Sequence, residues 1–318
     1  MVKTLFLGPK GTYSHQAALQ QFGNSKDIEY VAADSIPNCI EKLKDDHTID
    51  YSVIPLENST NGQVVFSYDL LRDLMVQEAK LTTEGNRVVS SLEVIGEQYV
   101  AIVHCLIAAQ PIKLELLHHY QKVVLHSHPQ VWGQVTDYLA HLRQQCPHTS
   151  FEKVDSSSTS EAVKTAVECQ SKSVPGVIHI AIAGEVAAKL NHCEVLDCGI
   201  NDRKNNTTRF LVLQRRTEAA PSRTPHQSQV SLVSFTTKHD DPGSLVDVLS
   251  ILKTHSINMC SINSRPLNRG TQKWQYVFFI EYYYAEPRNW DAFFEEIGSV
   301  CSYWCLWGTF PRNERYYE

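Results

Sequence analysis

The sequence predicts an α/β protein with more than one domain, and three observations support this fold class. At 318 residues the chain is too long for a single ordinary core, so two or three domains are expected. From residue 3 to about 75, short apolar runs alternate with stretches of helical periodicity, which is typical of βαβ units on a parallel sheet, and a second region of strands and helices begins near Leu92. After residue 228 the pattern restarts as βαββαβ, a split unit on an antiparallel sheet.

The first elements follow from the spacing of apolar residues. A strand is predicted at 4–7, and the apolar side formed by Ala17, Ala18 and Phe22 predicts a helix at 13–22. The remaining elements predicted before residue 214 are strands at 28–31, 52–54, 92–94, 100–107, 123–125, 177–182, 195–196 and 210–213, and helices at 36–43, 64–74, 130–144, 159–167 and 184–190.

A linker is predicted at 214–228, because this stretch holds two prolines, several hydroxyl residues and few apolar ones. The elements predicted after it are strands at 230–235, 259–262, 274–280 and 303–307 and helices at 244–253 and 290–297. The stretch 76–92 fits no motif, and we interpret it as a loop.

Composition excludes several classes of protein. A hydrophobic content of 42% with 20% charged residues is typical of a globular protein, and the net charge of −6 argues against a nucleic-acid partner. The apolar run 99–109 is too short to span a membrane, and the N-terminus lacks the plan of a signal peptide. The nine scattered cysteines predict reduced thiols in a cytoplasmic protein, and His118-His119 lacks a third ligand, so no metal is expected.

Three polar segments follow predicted strands, where α/β sheets bind ligands. In the segment 8–14, Thr12 or Ser14 could cap a helix whose open amides favour an anion, or the segment could be a plain turn. The segment 55–62 offers a carboxylate, Glu57, with amides and hydroxyls including Asn58 and Ser59, or it could be a solvated loop.

The third segment, 155–161, has Glu161 three residues after Ser158, which suits a capping box, and its spare hydroxyls, including Thr159, could also attract a carboxylate. His128, in Ser127-His128-Pro129-Gln130, could act as an acid or base, although capping is the more common role of a histidine at a helix entry.

The segment 207–210 places two hydroxyls and a cation at the entry of an apolar strand. The Thr208 hydroxyl could donate a hydrogen bond to an oxygen leaving group, and the Arg209 guanidinium could hold a carboxylate. The alternative is an edge strand with a surface arginine.

Together and in this order, these segments resemble prephenate dehydratase. The carriers are Gly8-Pro9-Lys10-Gly11-Thr12, Pro55-Leu56-Glu57-Asn58-Ser59 with Gly62, Ser127-His128-Pro129-Gln130, Ser158-Thr159-Ser160-Glu161-Ala162 and Asn206-Thr207-Thr208-Arg209-Phe210. The tail resembles a regulatory domain of the ACT type through Asp241-Pro242-Gly243-Ser244-Leu245-Val246 and Asn263-Ser264-Arg265-Pro266, with Asn263 where that family usually has Glu.

The resemblance implies two α/β lobes like those of periplasmic binding proteins, and a ferredoxin-like ACT domain at 229–318. The catalytic region would be 1–213, with one lobe at about 1–88 and 184–213 and the other at about 89–183. The implied reaction converts prephenate to phenylpyruvate with loss of carbon dioxide and water, without cofactor or metal. Phenylalanine is the implied effector, and a homodimer or tetramer is expected by analogy.

The resemblance makes Thr208 the essential residue. The implied substrate-binding residues are Thr12, Asn58, Ser59, Ser158, Thr159, Arg209 and Phe210. The implied phenylalanine-binding residues are Gly243, Ser244, Leu245, Val246, Asn263, Ser264, Arg265 and Pro266.

The chemistry suggests how these groups would act. Thr208 would assist the departing hydroxyl, and the ring carboxylate should lie among neutral groups, because a cation would hold the electrons that decarboxylation must release. Either Arg209 or a helix N-terminus would hold the pyruvyl carboxylate. Glu57 would need a raised pKa to face a dianion, so a structural role is favoured. Arogenate dehydratase and a non-catalytic amino-acid sensor are the alternatives.

Overall fold

The computed structural model describes residues 1–81, 83–217, 228–238, 241–267, 275–285 and 289–317. The strands are β1 (Val2–Leu7), β2 (Ile28–Ala33), β3 (Tyr51–Asn58), β4 (Gly62–Gln63), β5 (Thr83–Glu84), β6 (Arg87–Val88), β7 (Leu92–Ala101), β8 (Cys105–Ala108), β9 (Lys122–Ser127), β10 (Ser150–Asp155), β11 (Val177–Ala183), β12 (Glu194–Cys198), β13 (Thr207–Arg215), β14 (Gln229–Thr237), β15 (Met259–Leu267), β16 (Gln275–Tyr284) and β17 (Cys301–Pro311). The α-helices are α1 (Tyr13–Phe22), α2 (Ile36–Asp45), α3 (Val65–Glu78), α4 (Pro129–Trp132), α5 (Thr136–Gln145), α6 (Thr159–Gln170), α7 (Glu185–Leu190), α8 (Ser244–Thr254) and α9 (Trp290–Val300), and two short 3₁₀ helices are Leu114–His119 and Glu314–Tyr317.

The first sheet has the strand order β2-β1-β3-β13-β7 and carries β4 at the edge of β3. Its first three strands are parallel, and β13 runs antiparallel to both β3 and β7. Helix α1 covers one face, where Ala17 and Ala18 pack on Phe6, Val100 and Phe210. Helices α2 and α3 cover the opposite face, so the sheet is buried on both sides.

The second sheet has the order β10-β9-β11-β8-β12. Helix α5 buries Leu139 and Leu142 on one face, and α6 buries Ala162, Val163 and Ala166 on the other. The helix predicted at 130–144 is broken, because α4 ends at Trp132 and α5 begins only at Thr136.

Strand pairing corrects the predicted bounds of the two lobes. Strand β7 was assigned to the second lobe, but it pairs with β13 in the first sheet, whereas β12, assigned to the first lobe, pairs with β8 in the second. The chain therefore crosses between the sheets at 102–104 and 199–206, where Asn201 Oδ1 accepts from the His104 amide at 2.7 Å. This crossover also splits the strand predicted at 100–107.

The third sheet has the order β15-β16-β14-β17-β6-β5. Its four longer strands and helices α8 and α9 follow the predicted βαββαβ order. The prediction that 76–92 is only a loop is wrong, because α3 continues to Glu78 and the β5–β6 hairpin joins this sheet through Arg87 and Trp304. Strand β13 extends to Arg215, so the predicted linker begins later than expected, and its residues 218–227 lie outside the described residues, as does 274, the predicted start of β16.

Helices α8 and α9 pack on one face of the third sheet, and the first sheet with its helix α3 packs on the other. Tyr282, Phe293 and Trp304 belong to the core under α8 and α9. On the other face, Phe279 packs edge-to-face on Tyr68 of α3, with ring centroids 5.2 Å apart. A methyl group at Gly308 would lie 2.0 Å from the Val94 carbonyl oxygen, so this close approach of β17 to β7 requires glycine.

One cysteine pair departs from the expectation of reduced thiols. Cys105 and Cys198 are directly opposite on β8 and β12, and their sulfur atoms form a disulfide in this structure. No local pattern predicts this pairing, because 93 residues separate the two positions. Across the described residues, no helix is both long and apolar enough to cross a membrane.

Candidate active site

A cavity of about 490 Å³ lies between the first and second sheets. Its walls come from the loop after β3, from α4 and its continuation, and from the second crossover. The lining residues are Thr60, Asn61, Gln130, Gly133, Gln134, Asn201, Asp202, Arg203 and Asn206. Apart from Asp202 and Arg203 these side chains are uncharged, which suits a ligand that must be held without strong local charge.

Thr208 lies on the α1 face of the first sheet, two residues after Asn206, which lines the cavity. It is the direct partner of Val100, which packs in the α1 core, so the two side chains share a face. Thr208 is half-buried, and its Oγ1 accepts a hydrogen bond from Asn58 Nδ2 at 2.9 Å. The hydroxyl proton has no acceptor among the described residues and is available to a ligand, although Thr208 is not itself among the residues that line the cavity.

Neutral hydrogen bonds connect Thr208 to the cavity wall. The Asn58 amide also donates to Asn206 Oδ1 at 2.7 Å, and Asn206 Nδ2 donates to Gln134 Oε1 at 3.2 Å. Gln134 Oε1 lies 2.9 Å from His104 Nε2, and the Tyr13 hydroxyl lies 3.0 Å from His104 Nδ1. The chain of contacts therefore runs from α1 through the crossover and the second sheet's helices back to β13.

His104 completes this network as a neutral ring. Burial lowers the pKa of the His104 imidazole below its ordinary value, although the Gln134 hydrogen bond opposes the shift. A proton on Nε2 satisfies Gln134 Oε1, which is only an acceptor, and leaves Nδ1 as an acceptor for the Tyr13 hydroxyl, whose single proton is shared with the Val103 carbonyl at 3.0 Å. The side chains that connect Thr208 to the crossover thus carry no formal charge.

Two predicted binding residues act as helix caps. Thr12 Oγ1 accepts from the His15 amide at 3.3 Å and donates toward the Leu7 and Pro9 carbonyls, so it caps α1. Ser158 Oγ accepts from the Glu161 amide at 3.0 Å, which is one of the two bonds of the predicted capping box. Because both hydroxyls bond to backbone groups, a ligand at these helix ends would be bound by the first-turn amides that have no partner within the helix.

The N-termini of α1 and α6 approach each other across the cleft. The Ser160 hydroxyl donates to the Lys10 carbonyl, and a methyl group at Gly11 would lie 2.6 Å from Ser160 Oγ and 3.1 Å from Ala187 Cα. Gly11 has a φ of +92°, so both its backbone and its surroundings favour glycine. The two helix ends, whose first-turn amides lack intrahelical acceptors, therefore lie close together, and helix N-termini favour anions.

Other predicted residues have structural partners. Ser59 Oγ donates to the Asn205 carbonyl and accepts from the Thr207 amide, both at 2.9 Å, so it fastens the loop to β13. His128 Nδ1 accepts from the Gln130 amide at 3.3 Å and caps α4, the role favoured from sequence. Thr159 is the first residue of α6 and is half-buried.

Arg209 differs from its predicted role as a carboxylate clamp for the substrate. Consecutive residues of a strand point to opposite faces, so Arg209 faces away from the side that Thr208 occupies. Its guanidinium is 4% exposed and contacts carboxylates of this chain instead of the cavity. Phe210 is likewise a core residue under α1, 2% exposed, rather than a wall of the cavity.

Three carboxylates surround the Arg209 guanidinium. Glu281 of β16 binds it with two parallel bonds of 2.8 and 2.6 Å, Glu97 of β7 accepts from Nε at 2.8 Å, and Glu57 accepts from Nη1 at 2.9 Å. Burial alone would lower the pKa of Arg209, but Glu281 above all raises it well beyond its ordinary value. Arg312 adds a second guanidinium, 3.2 Å from Glu97.

Glu57 therefore faces the charged side of β13, in agreement with the structural role favoured from sequence. It lines a second cavity of about 290 Å³ together with Tyr99, Arg315 and Tyr316, on the opposite face from Thr208. A general-acid role for Glu57 toward a ligand near Thr208 is not supported by this geometry.

The two predicted effector segments lie in different surroundings. Gly243, with a φ of +89°, precedes α8, and Val246 on its first turn is 61% exposed. Asn263 is buried and donates to the Tyr68 hydroxyl at 2.8 Å, while Arg265 binds Asp69 at 2.7 Å. Within the described residues, side-chain hydrogen bonds join the second segment to α3 and not to the first.

One further group of ligand-type side chains lies in the second sheet. His126 Nε2 and His179 Nδ1 are 2.9 Å apart, with Cys169 close by. The two ring nitrogens satisfy each other as donor and acceptor, so the geometry does not by itself call for an ion. That the protein needs no metal remains a prediction.

Sequence reasoning missed the neutral network around the cavity. Gln134 comes four residues after Gln130, which belongs to one of the motifs, and Asn206 immediately precedes the segment 207–210. Both residues could therefore have been predicted as members of the site from their positions in the sequence. His104 and Asn201 gave no signal, because their importance comes from the crossover between the sheets.

Comparison with known proteins agrees with the resemblance noted in the sequence. Residues 4–218 match the family described as prephenate dehydratase. A relative in Saccharomyces cerevisiae, described as a probable prephenate dehydratase, is 53% identical over 330 residues, covering 100% of this chain and 98% of the relative. A bifunctional chorismate mutase/prephenate dehydratase of Escherichia coli is 26% identical over 314 residues, covering 96% of this chain and 70% of the relative.

Solved structures give the same fold. Prephenate dehydratase from Arthrobacter aurescens, in complex with L-Phe, superposes with a TM-score of 0.74 at 22% identity, covering 98% of this chain and 90% of that one. Prephenate dehydratase from Staphylococcus aureus superposes with a TM-score of 0.69 at 23% identity, covering 98% of this chain and 100% of that one. The chain described here belongs to the prephenate dehydratase family.

Proposed function

We propose that this protein is a prephenate dehydratase in phenylalanine biosynthesis, acting in the cytoplasm. The reaction takes up one proton, breaks the bond to the ring hydroxyl so that water leaves, and breaks the bond to the ring carboxylate so that carbon dioxide leaves. The electron pair released by decarboxylation enters the ring and forms the aromatic system of phenylpyruvate. The enzyme need only hold the substrate and ease the departure of the hydroxyl.

The observation that carries the proposal is the state of the Thr208 hydroxyl. Its oxygen accepts from Asn58 Nδ2, which orients it and leaves its proton for an oxygen of the substrate. A preorganised neutral donor of this kind contributes about 3 kcal/mol to lowering a barrier. The neutral amides of Asn58, Asn206 and Gln134 provide surroundings in which a ring carboxylate can lose its electrons.

The pyruvyl carboxylate then needs a separate positive region. Since Arg209 is occupied by its three carboxylates, we assign this role to the amides at the N-termini of α1 and α6, with Arg203, which lines the cavity, as a further cation. Thr12, Ser158 and Thr159 contribute through the helix ends that they cap or begin.

The two sheets of residues 1–217 correspond to the lobes of a catalytic region like that of periplasmic binding proteins. The remaining strands and helices correspond to a regulatory domain of the ACT type. Phenylalanine is the effector of this proposal, in line with the bound L-Phe of a structural relative, with Gly243 and Ser244 at its carboxylate. Asn263 and Arg265 then act by holding α3, and a second copy of the chain would complete the domain's assembly.

Turnover of prephenate, measured as formation of phenylpyruvate by the full-length protein, tests the activity. Arogenate supplied in the same assay distinguishes an arogenate dehydratase, which would convert it in preference. Binding of either compound by calorimetry without turnover would indicate the non-catalytic sensor instead. Calorimetry with phenylalanine, and the mass in solution with and without it, test the effector and the oligomer separately.

A further inference from the structure

Two consecutive residues of strand β13, Thr208 and Arg209, contact different parts of the molecule. Thr208 faces the α1 side, and Arg209 faces the third sheet, where Glu281 binds it. Consecutive Cα atoms are fixed about 3.8 Å apart by the planar peptide, so a displacement of Arg209 is transmitted directly to Thr208.

We infer that Glu281 is a positioning residue for Thr208, acting through Arg209; this inference rests on the proposed dehydratase activity. Glu57 and Glu97 come from β3 and β7, the two neighbours of β13 in its own sheet. Glu281 comes from β16 of the third sheet, and its two bonds to Arg209 are made by buried groups, 4% and 2% exposed. A bidentate pair of this kind fixes both the distance and the orientation of the guanidinium.

The backbone beside this point is paired regularly on one side and irregularly on the other. The register between β13 and β7 is unbroken from Thr207 to Val212, whereas the register between β13 and β3 shifts between Arg209 and Phe210. Such irregularities disrupt ladder hydrogen bonds locally and re-aim side chains. On the β3 side, side-chain anchors such as the Glu281 pair therefore contribute to the position of Arg209 and of its neighbour Thr208.

The same anchor is connected to the segment of β15 that holds α3 in the proposed regulatory domain. On β16, Phe279 lies two residues before Glu281 and so points to the same face of the sheet. Phe279 is the direct partner of Asn263 on β15 and packs on Tyr68, which Asn263 also contacts. A shift of β15 or β16 against α3 would thus reach Arg209 through adjoining residues.

The charges of the cluster allow the charge and the length of the side chain at position 281 to be changed separately. Among the described residues, two guanidiniums, Arg209 and Arg312, face three carboxylates, so this set carries one negative charge in excess. Glu281→Gln removes that excess and keeps an oxygen that can accept from Arg209. Glu281→Asp keeps the charge but shortens the side chain, so it weakens the two hydrogen bonds to the Arg209 guanidinium through distance and not through charge.

The experiment compares these two variants with a control that also loosens the third sheet. Asn86 Nδ2 donates to the Gly298 and Cys301 carbonyls, far along the sheet from β16, so Asn86→Ala weakens the attachment without touching β13. For Glu281→Gln and Glu281→Asp we expect kcat to fall about 10-fold with KM within about two-fold of wild type. For Asn86→Ala we expect both constants to stay at wild-type values.

A further comparison uses Arg209→Lys, which keeps the charge but lacks the two-pronged donor. Added to Glu281→Gln, it should lower kcat by much less than it does alone, because both act on the same contact. Unchanged kcat in both Glu281 variants, or an equal fall in Asn86→Ala, overturns the positioning role. Absence of prephenate turnover by the wild type overturns the proposed function itself, and the inference with it.

Discussion

The two faces of strand β13 differ in almost every electrostatic respect, although their key residues are neighbours in sequence. On the α1 face, Thr208 is connected to the cavity only by neutral amides, an imidazole and a phenol. On the other face, Arg209 is buried among three carboxylates. The strand thus separates a neutral region suited to decarboxylation from a charged cluster that fixes its position. Substitutions of Thr208 should therefore affect mainly catalysis, and substitutions of Arg209 mainly the stability of the fold.

The largest expected effect is on stability, from Arg209→Met. The variant leaves Glu97 and Glu281 buried with Arg312, at 3.2 and 3.7 Å, as their remaining cation among the described residues, and breaking a buried ion pair in this way costs about 3–5 kcal/mol. Denaturant unfolding of the full-length chain measures the loss. Arg315→Met is the matched control, because this exposed arginine lines the same second cavity and should change stability by less than about 0.5 kcal/mol. Similar losses in the two variants would mean that the cluster does not hold the strand.

The next effect is on catalysis, from Thr208→Ala. Removing the donor on the neutral face should lower kcat by about 100- to 1,000-fold while stability changes little. Thr208→Ser keeps the hydroxyl and should retain most of the activity. Thr207→Ala removes the neighbouring hydroxyl on the opposite face, and we expect near-normal turnover from it. If Thr207→Ala were the more damaging change, the assignment of the two faces would be reversed.

A smaller loss is expected from Asn58→Ala, which keeps Thr208 but removes the amide that orients it. A hydrogen bond of this kind contributes about 1 kcal/mol, so kcat/KM should fall by roughly five-fold. Asn58→Asp keeps the oxygen that accepts from the Thr60 and Asn61 amides but offers no donor, and should lose at least as much activity. Gln63→Ala, on the exposed strand β4 beyond the same loop, serves as the control. Wild-type kinetics in Asn58→Asp would show that Thr208 needs no such orientation.

Much of this comparison could be predicted from local patterns. Alternating apolar runs gave the α/β class, and the spacing of Ser158 and Glu161 gave a cap that the structure contains. The opposite directions of Thr208 and Arg209 also followed from the two-residue period of a strand, and applying that period would have excluded a shared ligand. Treating residues 207–210 as a strand would have predicted that the Thr208 and Arg209 side chains lie on opposite faces of the sheet.

The partners of Arg209 could not be predicted in this way. Glu97 and Glu281 lie 112 and 72 residues away along the chain, and nothing in their local sequence marks them as neighbours. The same limit explains the misplaced lobe boundaries, because local patterns identify a strand without telling which sheet it joins. Strand β7 follows the β5–β6 hairpin in sequence, yet it returns to the first sheet because β13 supplies its hydrogen bonds.

The smallest expected effect separates capping from binding at Thr12. Its hydroxyl caps α1, so Thr12→Ala should cost about 1 kcal/mol of stability, whereas Thr12→Ser should keep the cap. If the amides of α1 hold the pyruvyl carboxylate, the intact helix end matters more than the hydroxyl, and KM for prephenate should rise by no more than about two-fold in Thr12→Ala. Steady-state kinetics together with denaturant unfolding measure both quantities. A large rise in KM in both variants, with stability unchanged, would instead place the Thr12 side chain in direct contact with the substrate and move part of the binding from the helix end to its cap.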